Sequence, residues 1–275
     1  MAFRFTKMHG AGNDFVIVDR RHQPVALPAE LVALIADRHR GVGFDQLITI
    51  DPPRGVNSVA AYSIFNADGS MAAQCGNGAR CVAAWLLRDG IAVAGNFTLD
   101  GPVGPVIAQR LADNEIGIDM GVPNFEPSAI GLSLKAQPLY RLAYETDEIL
   151  FGAVSMGNPH VVIEVDDVMS ASVETWGQFL QQQSIFSDSC NVGFAQVVSE
   201  DAIRLRVFER GVGETLACGS GACAAMAVLA RRGRVGSQVS VTLPGGVLNL
   251  HWAGEGKAMH MAGPAAFVFE GEFLS

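Results

Sequence analysis

Little of this sequence is charged, and what charge there is leans one way. Charged residues make up 17% of its 275 positions, and 28 acidic against 19 basic side chains leave a formal net charge of −9. That balance excludes no enzyme class, but it argues against a nucleic-acid or anionic-membrane surface. No CxxC pair occurs among the five cysteines, and their number is odd. The separations of Cys75 from Cys81 and of Cys218 from Cys223 suit neither a zinc site nor a disulfide framework. Free thiols in a reducing compartment are expected, with no bound metal. The longest apolar stretches, such as ACAAMAVLA at 222–230, are too short to span a bilayer. The N-terminal MAFRFTKMHG alternates like a strand and has no core of signal-peptide length. A cytoplasmic location follows as an expectation. A P-loop GK[ST] is absent, as is a GxGxxG in the strand–turn–helix setting that binds dinucleotides.

What is present is a large apolar fraction and a repeat. Hydrophobic residues are 49% of the chain, enough for a substantial core in one large domain or two lobes. Gly12-Asn13-Asp14-Phe15-Val16 is echoed by Gly157-Asn158-Pro159-His160-Val161. Val42-Gly43-Phe44-Asp45-Gln46 is echoed by Val192-Gly193-Phe194-Ala195-Gln196. Cys75-Gly76-Asn77-Gly78-Ala79 is echoed by Cys218-Gly219-Ser220-Gly221-Ala222. The three landmarks recur in the same order, each about 145 residues later, the mark of an internal duplication.

The neighbourhoods repeat as well. A phenylalanine, Phe65 or Phe208, precedes each glycine-flanked cysteine by the same interval. Before Cys218, Ile203 to Val207 alternates apolar and charged residues, a half-buried strand pattern, and Tyr62 to Phe65 reads similarly. After each cysteine a helix is predicted, Ala79 to Asp89 and Ala222 to Arg232. Each stops at a glycine (Gly90, Gly233) and carries arginine in its last turn. Both helices are apolar on nearly every face and should be buried all round. Strands are predicted at Phe15–Asp19, Gln46–Ile50, His160–Val165 and Val239–Leu243. The expected fold is α/β (α+β): two pseudo-symmetric lobes, each a curved mixed sheet wrapped around a central apolar helix, with the active site in the cleft between them. Residues 1–118 with 264–275 would form the lobe carrying Cys75, and 119–263 the lobe carrying Cys218.

Cys75 and Cys218 sit where a loop becomes a helix. The glycines after them leave backbone N–H groups open, and the helix dipole favours negative charge at that end. Such a site can stabilise a thiolate, a ligand carboxylate, or both. Inverting a stereocentre by proton transfer needs a base on one face of the carbon and an acid on the other, and two copies of one lobe supply that pair. Small residues tolerated at tight turns, an anion cradle, a redox pair that closes as a disulfide, and a binding module without chemistry are the competing readings. Cys81 and Cys223 inside the helices and Cys190 before a strand read as core thiols.

At these residues the chain resembles the diaminopimelate epimerases. The matching strings are KMHGAGNDFVIVD at 7–19, DRHRGVGFDQL at 37–47, FNADGSMAAQCGNGARC at 65–81, VSMGNPHVVIEVDDV at 154–168, NVGFAQVV at 191–198 and RVFERGVGETLACGSGACAA at 206–225, with LPGG at 243–246 and GPA at 263–265. The resemblance implies epimerisation of LL- to meso-diaminopimelate without pyridoxal phosphate or metal, and Cys75 and Cys218 as the acid/base pair. It implies that His160 and Glu209 adjust the protonation of the thiols. It makes Asn13, Gln46, Asn66, Asn77, Asn158, Asn191, Glu209 and Arg210 substrate contacts, with the N–H groups of Gly76, Asn77, Gly219 and Ser220 holding carboxylates. The reacting carboxylate is expected at the helix starts, the distal one on Arg210, and an ammonium on Glu209. The family often has a tyrosine tied to homodimer contacts where this chain has Phe269, which keeps the ring and loses the hydroxyl. A proline or hydroxyproline racemase, of similar fold and thiol pair, is the nearest rival, and Glu209-Arg210 with the asparagine set argues against it.

Overall fold

The computed structural model describes residues 2–73, 75–93, 95–111 and 115–274. The chain divides into two compact units, residues 1–119 with 262–275 and residues 120–261.

Unit 1 contains β1 (Ala2–Gly10), β2 (Asn13–Asp19), α1 (Ala29–Ala36), β3 (Gln46–Asp51), β4 (Ser58–Asn66), β5 (Met71–Ala72), α2 (Gly76–Arg88), β6 (Asn96–Asp100), β7 (Pro105–Arg110) and β8 (Ile116–Asp119). Unit 2 follows with α3 (Pro127–Ile130), β9 (Tyr140–Tyr144), β10 (Asp147–Ser155), β11 (Pro159–Glu164), α4 (Val173–Gln181), β12 (Asn191–Ser199), β13 (Ala202–Glu209), β14 (Gly213–Thr215), α5 (Gly219–Arg231), β15 (Gln238–Leu243), β16 (Gly246–Trp252) and β17 (Met259–Gly263). The chain returns to unit 1 within β17, at Ala262, and continues there as β18 (Ala266–Leu274).

The duplication is written into the strand pairing. In unit 1, β1–β2 is antiparallel, β2–β3 parallel, β3–β4 antiparallel, β4–β6 parallel and β6–β7 antiparallel. In unit 2, β10–β11, β11–β12, β12–β13, β13–β15 and β15–β16 follow the same alternation. Phe15 lies opposite Gln46 and His160 opposite Asn191. The register thus matches Gln46 with Asn191 and corrects the sequence pairing of Val42–Gln46 with Val192–Gln196, which falls five residues further along β12. Between strand and cysteine each unit makes a short hairpin, β4–β5 or β13–β14.

Central strands are buried on both faces, which explains their unbroken apolar runs. Val16 and Val18 of β2 join Val32 and Ile35 of α1 in one core. Phe15 and Ile17, on the other face of the strand, are also buried. In unit 2 the same outer layer is built by Val161, Ile163, Val192 and Phe194 with Val173 and Leu180 of α4. The inner faces enclose α2, which packs on β1, β2, β3, β7 and β8, or α5, which packs on β10 to β13 and β16. A Cβ on Gly152 would lie 2.3 Å from Val228, so only glycine lets β10 approach α5 this closely.

Both central helices are 13 residues long and end alike. Gly90 and Gly233 take φ of 70° and 69°, and Ile91 and Arg234 donate their N–H groups back to Leu86 and Leu229. This is the left-handed glycine closure predicted from the sequence. One expectation needs correcting. The start of α2 is buried but not apolar, because Asn77 and Arg80 are both sealed within it, Arg80 at 0% exposure. Among the described residues no helix is long and apolar enough to cross a membrane.

Candidate active site

Each cysteine caps its helix. In unit 1, Cys75 is the N-cap of α2, and its Sγ accepts from the Gly78 N–H at 3.4 Å. Cys75 Sγ is also 3.6 Å from Asn13 Oδ1. That same oxygen accepts from Asn77 Nδ2 at 3.3 Å, and Asn77 Oδ1 accepts from Arg80 Nη2 at 3.0 Å. Asn13 Nδ2 donates to Asp45 Oδ2 at 2.8 Å. Behind it, Asp14 takes Lys7 at 2.6 Å and Arg38 at 2.8 Å, which holds the Asp14 carboxyl far below its usual range despite partial burial. Gln46 donates to Asn66 at 3.1 Å, and Asn66 donates to Ser70. Two buried side-chain oxygens have no hydrogen-bond partner among the described residues, Gln46 Oε1 and Tyr62 Oη. Burial, and then the neighbouring Cys75, push the Tyr62 phenol above its ordinary range.

In unit 2, Cys218 is the N-cap of α5 and is 5% exposed. Its Sγ donates to Glu209 Oε2 at 3.2 Å and lies 3.6 Å from Ser220 Oγ. Thr215 donates to the other Glu209 oxygen at 2.5 Å. Sequence reasoning expected the helix terminus to lower a thiol pKa. For Cys218 the opposite wins: burial first and the Glu209 carboxylate second push it well above the ordinary thiol value, outweighing the Ser220 hydroxyl and the Gly221 N–H. Cys218 is therefore a thiol with a proton acceptor in contact.

His160 is buried opposite Asn191, and its Nε2 pairs with Asn158 Oδ1 at 3.0 Å. Burial, with Arg210 adding to it, depresses its pKa to about 3, so the ring is neutral near pH 7. Asn191 accepts from the Arg210 backbone N–H at 3.0 Å and donates to the Pro159 carbonyl. The Arg210 guanidinium donates to the Asp188 carbonyl and carboxylate, the latter at 3.1 Å.

The structure thus brings Asn13, Asn77 and Cys75 together in unit 1, with Gln46 and Asn66 paired to each other. It brings Glu209, Ser220 and Cys218 together in unit 2, while Asn158, His160, Asn191 and Arg210 form a second group. Gly76 and Gly219 open their helices directly after the cysteines. Asp45, Arg80, Thr215 and Asp188 escaped the sequence reading. The buried Arg80 had one signal, a charged residue within an otherwise apolar helix. Cys81 and Cys190 are pushed up to about 12 by burial, as core thiols should be. Among the described residues no group of three or more His, Cys, Asp or Glu side chains could hold a metal ion.

The arrangement has solved counterparts. A hydroxyproline epimerase from Agrobacterium vitis with bound trans-4-OH-L-proline superposes with a TM-score of 0.70 at 18% identity, covering 98% of this chain and 92% of that one. A PhzF-family phenazine biosynthesis protein from Bacillus anthracis gives the same TM-score and identity over 100% of both chains. At such identity the likeness defines the fold, an α/β architecture that occurs in amino-acid epimerases and in PhzF-type proteins. Sequence comparison is more specific. The diaminopimelate epimerase family model matches residues 5–126 and 152–268. A diaminopimelate epimerase of Xanthomonas euvesicatoria pv. vesicatoria is 56% identical over 272 residues, 98% of this chain and 96% of its own. One from Xylella fastidiosa strain M12 is 54% identical over 269 residues, 97% of this chain and 95% of its own. The chain belongs to the diaminopimelate epimerase family.

Proposed function

We propose that the protein interconverts LL- and meso-diaminopimelate by a two-base proton transfer in which Cys75 and Cys218 serve as acid and base, without pyridoxal phosphate or metal. The observation that carries this reading is the contact of Cys218 Sγ with Glu209 Oε2 at 3.2 Å, set in a duplicated frame whose other copy places Cys75 on an equivalent helix cap. The carboxylate takes the thiol proton, the resulting thiolate removes the α-hydrogen, and the other thiol protonates the opposite face. Helix-start N–H groups at Gly76, Asn77, Gly219 and Ser220 receive the reacting carboxylate, whose negative charge grows as the α-hydrogen leaves. Glu209 is the residue that tunes a thiol by direct contact. His160 acts through Asn158 and stays neutral, a positioning role.

Asn13, Gln46, Asn66, Asn158, Asn191 and Arg210 serve in this reading as donors and acceptors for the two amino-acid ends. Gln46 Oε1, buried without a partner among the described residues, is an acceptor suited to an ammonium. Arg210 exchanges Asp188 for the distal carboxylate. The lobes are assigned as 1–118 with 264–275 and 119–263, and the protein as a cytoplasmic enzyme of lysine and peptidoglycan-precursor synthesis. Its homodimer forms through β18, where Phe267 and Phe269 are exposed.

Incubating the purified protein with LL-diaminopimelate, and separately with proline, in the absence of pyridoxal phosphate tests the assignment. The expected result is meso-diaminopimelate and unchanged proline. Turnover of proline alone would overturn it.

A further inference from the structure

The amides beside Cys75 form a chain with chemically fixed poles. Asp45 Oδ2 accepts from Asn13 Nδ2 at 2.8 Å, Asn13 Oδ1 accepts from Asn77 Nδ2 at 3.3 Å, and Asn77 Oδ1 accepts from Arg80 Nη2 at 3.0 Å. An ionised carboxylate can only accept and a guanidinium can only donate. With those groups at the two ends, neither amide can be turned over without facing donor to donor or acceptor to acceptor. The orientation leaves Asn13 Oδ1, not its NH2, at 3.6 Å from Cys75 Sγ.

The poles are themselves held. Asp45 and Asp14 exchange backbone N–H to carboxylate bonds at 3.1 and 2.9 Å, and Arg38 bridges the two carboxylates. Arg80 is fully buried and also donates to the Pro264 carbonyl at 3.4 Å. The duplicated frame gives a built-in comparison. The position of Asp45, just before Gln46, is held in unit 2 by Cys190, just before Asn191. The position of Arg80, five residues after Cys75, is held by Cys223, five after Cys218. Both replacements are buried cysteines. Only unit 1 carries the charged ends.

We propose that Asp45 and Arg80 are positioning residues that set the direction of the Asn13–Asn77 amide chain, so that a carbonyl oxygen faces Cys75 and keeps this sulfur as a thiol in the resting protein. A thiol can donate to that oxygen, whereas a thiolate would be repelled by it. The consequence rests on the epimerase reading above: with Cys218 sharing its proton with Glu209, the negative charge resides on the Cys218–Glu209 pair. For the epimer whose α-hydrogen faces Cys218, Cys218 then acts as base and Cys75 as acid. The protons balance. Glu209 gains the Cys218 proton, Cys218 gains the α-hydrogen, and Cys75 releases its own proton to the product and ends as the thiolate.

The elements packed against α2 carry other charged and titratable groups. On β1 are Arg4, Lys7 and His9, on β2 Asp14 and Asp19, on β3 Asp51, on β4 Tyr62, on β7 Arg110 and on β8 Asp119, with Cys81, Arg88 and Arg80 on α2 itself. Lys7 is paired with Asp14 at 2.6 Å, Arg21 with Asp19 at 2.8 Å, Arg20 with Asp51 at 2.8 Å and Arg88 with Asp89 at 2.8 Å. The Tyr62 phenol and Cys81 thiol are buried and neutral. Asp45 and Arg80 are the charges bonded into the amide chain.

The test is the pH dependence of alkylation of the whole protein by iodoacetamide, with each cysteine quantified by peptide mass spectrometry. Asp45 is 45% exposed, so Asp45→Ala should fold, and a thermal melt checks it. The isosteric Asp45→Asn provides a second variant that removes only the acceptor-only pole. Asp45→Ala should raise Cys75 labelling at neutral pH roughly tenfold by freeing the Asn13 amide to turn its NH2 to sulfur, and Asp45→Asn should raise it less, with Cys218 unchanged in both. Unaltered Cys75 labelling in both folded variants, or an equal rise at both cysteines, would overturn the proposal. Failure of the epimerase reading would show elsewhere, as absence of diaminopimelate turnover by the unmodified protein.

Discussion

The Cys218 sulfur and the Glu209 carboxylate are in direct hydrogen-bond contact, with Sγ 3.2 Å from Oε2 and the sulfur almost fully enclosed. Burial alone raises a thiol's pKa, as it does for Cys190. A carboxylate in contact raises the thiol pKa further and at the same time offers the proton a destination. Replacing Glu209 with Gln separates the two effects. The thiol then loses a cause of its elevated pKa, so its ionisation midpoint should fall, while epimerisation should drop by about 10²- to 10⁴-fold for want of the acceptor. Alkylation kinetics of Cys218 and steady-state turnover measure the two sides, and full activity in the variant would refute the role.

His160 makes a prediction about stability. Its folded pKa of about 3 lies below the ordinary 6.5, so between those values the unfolded chain binds a proton that the native state refuses. Stability is complete above about pH 6.5 and is lost as the pH falls toward 3, with a limiting slope of about 1.4 kcal/mol per pH unit. Replacing His160 with Gln should flatten the acid limb of a denaturation-versus-pH curve relative to the parent. Parallel acid limbs would contradict this.

Arg210 holds Asp188 through one guanidinium nitrogen, leaving the rest of the fork for a carboxylate ligand. Arg210→Lys keeps the charge and loses the planar fork. The expected result is a KM for diaminopimelate raised about tenfold or more, with a smaller change in kcat. An unchanged KM would remove Arg210 from the substrate.

Close packing at the second helix start predicts sensitivity to a single methyl group. A Cβ on Gly221 would lie 3.1 Å from Val207 Cγ2 and 3.3 Å from Cys218 Sγ. Gly221→Ala should therefore displace the sulfur, lowering kcat while costing about 1–3 kcal/mol of stability, read from denaturant melts and initial rates.

Much of this molecule was legible before any coordinates. The repeat of Asn13 by Asn158 and of Cys75 by Cys218 predicted two like units, and the pairing alternation of β1–β7 and β10–β16 repeats just as they do. Gly90 and Gly233 marked the helix ends because a left-handed residue there needs no side chain. What escaped had one of two causes. The strands β5 and β14 are only two and three residues long, too short for a periodic signal. Asp45 and Thr215 act through partners on neighbouring strands, and nothing local in RGVGFDQ says that the aspartate meets Asn13. The apolar helix around Arg80 hinted at its burial but not at its bond to Asn77. The direction of the Cys218 pKa was missed for the same reason: helix position is local, while burial and the Glu209 contact belong to the fold.

Solvent isotope incorporation tests the two-thiol claim most directly. In D2O, with each epimer as starting material, two separate proton sites predict deuterium at the α-carbon of the newly inverted product from the first turnovers, while recovered starting epimer stays largely unlabelled. Equal early deuteration of starting epimer and product would mean that one group serves both faces, and would contradict the account.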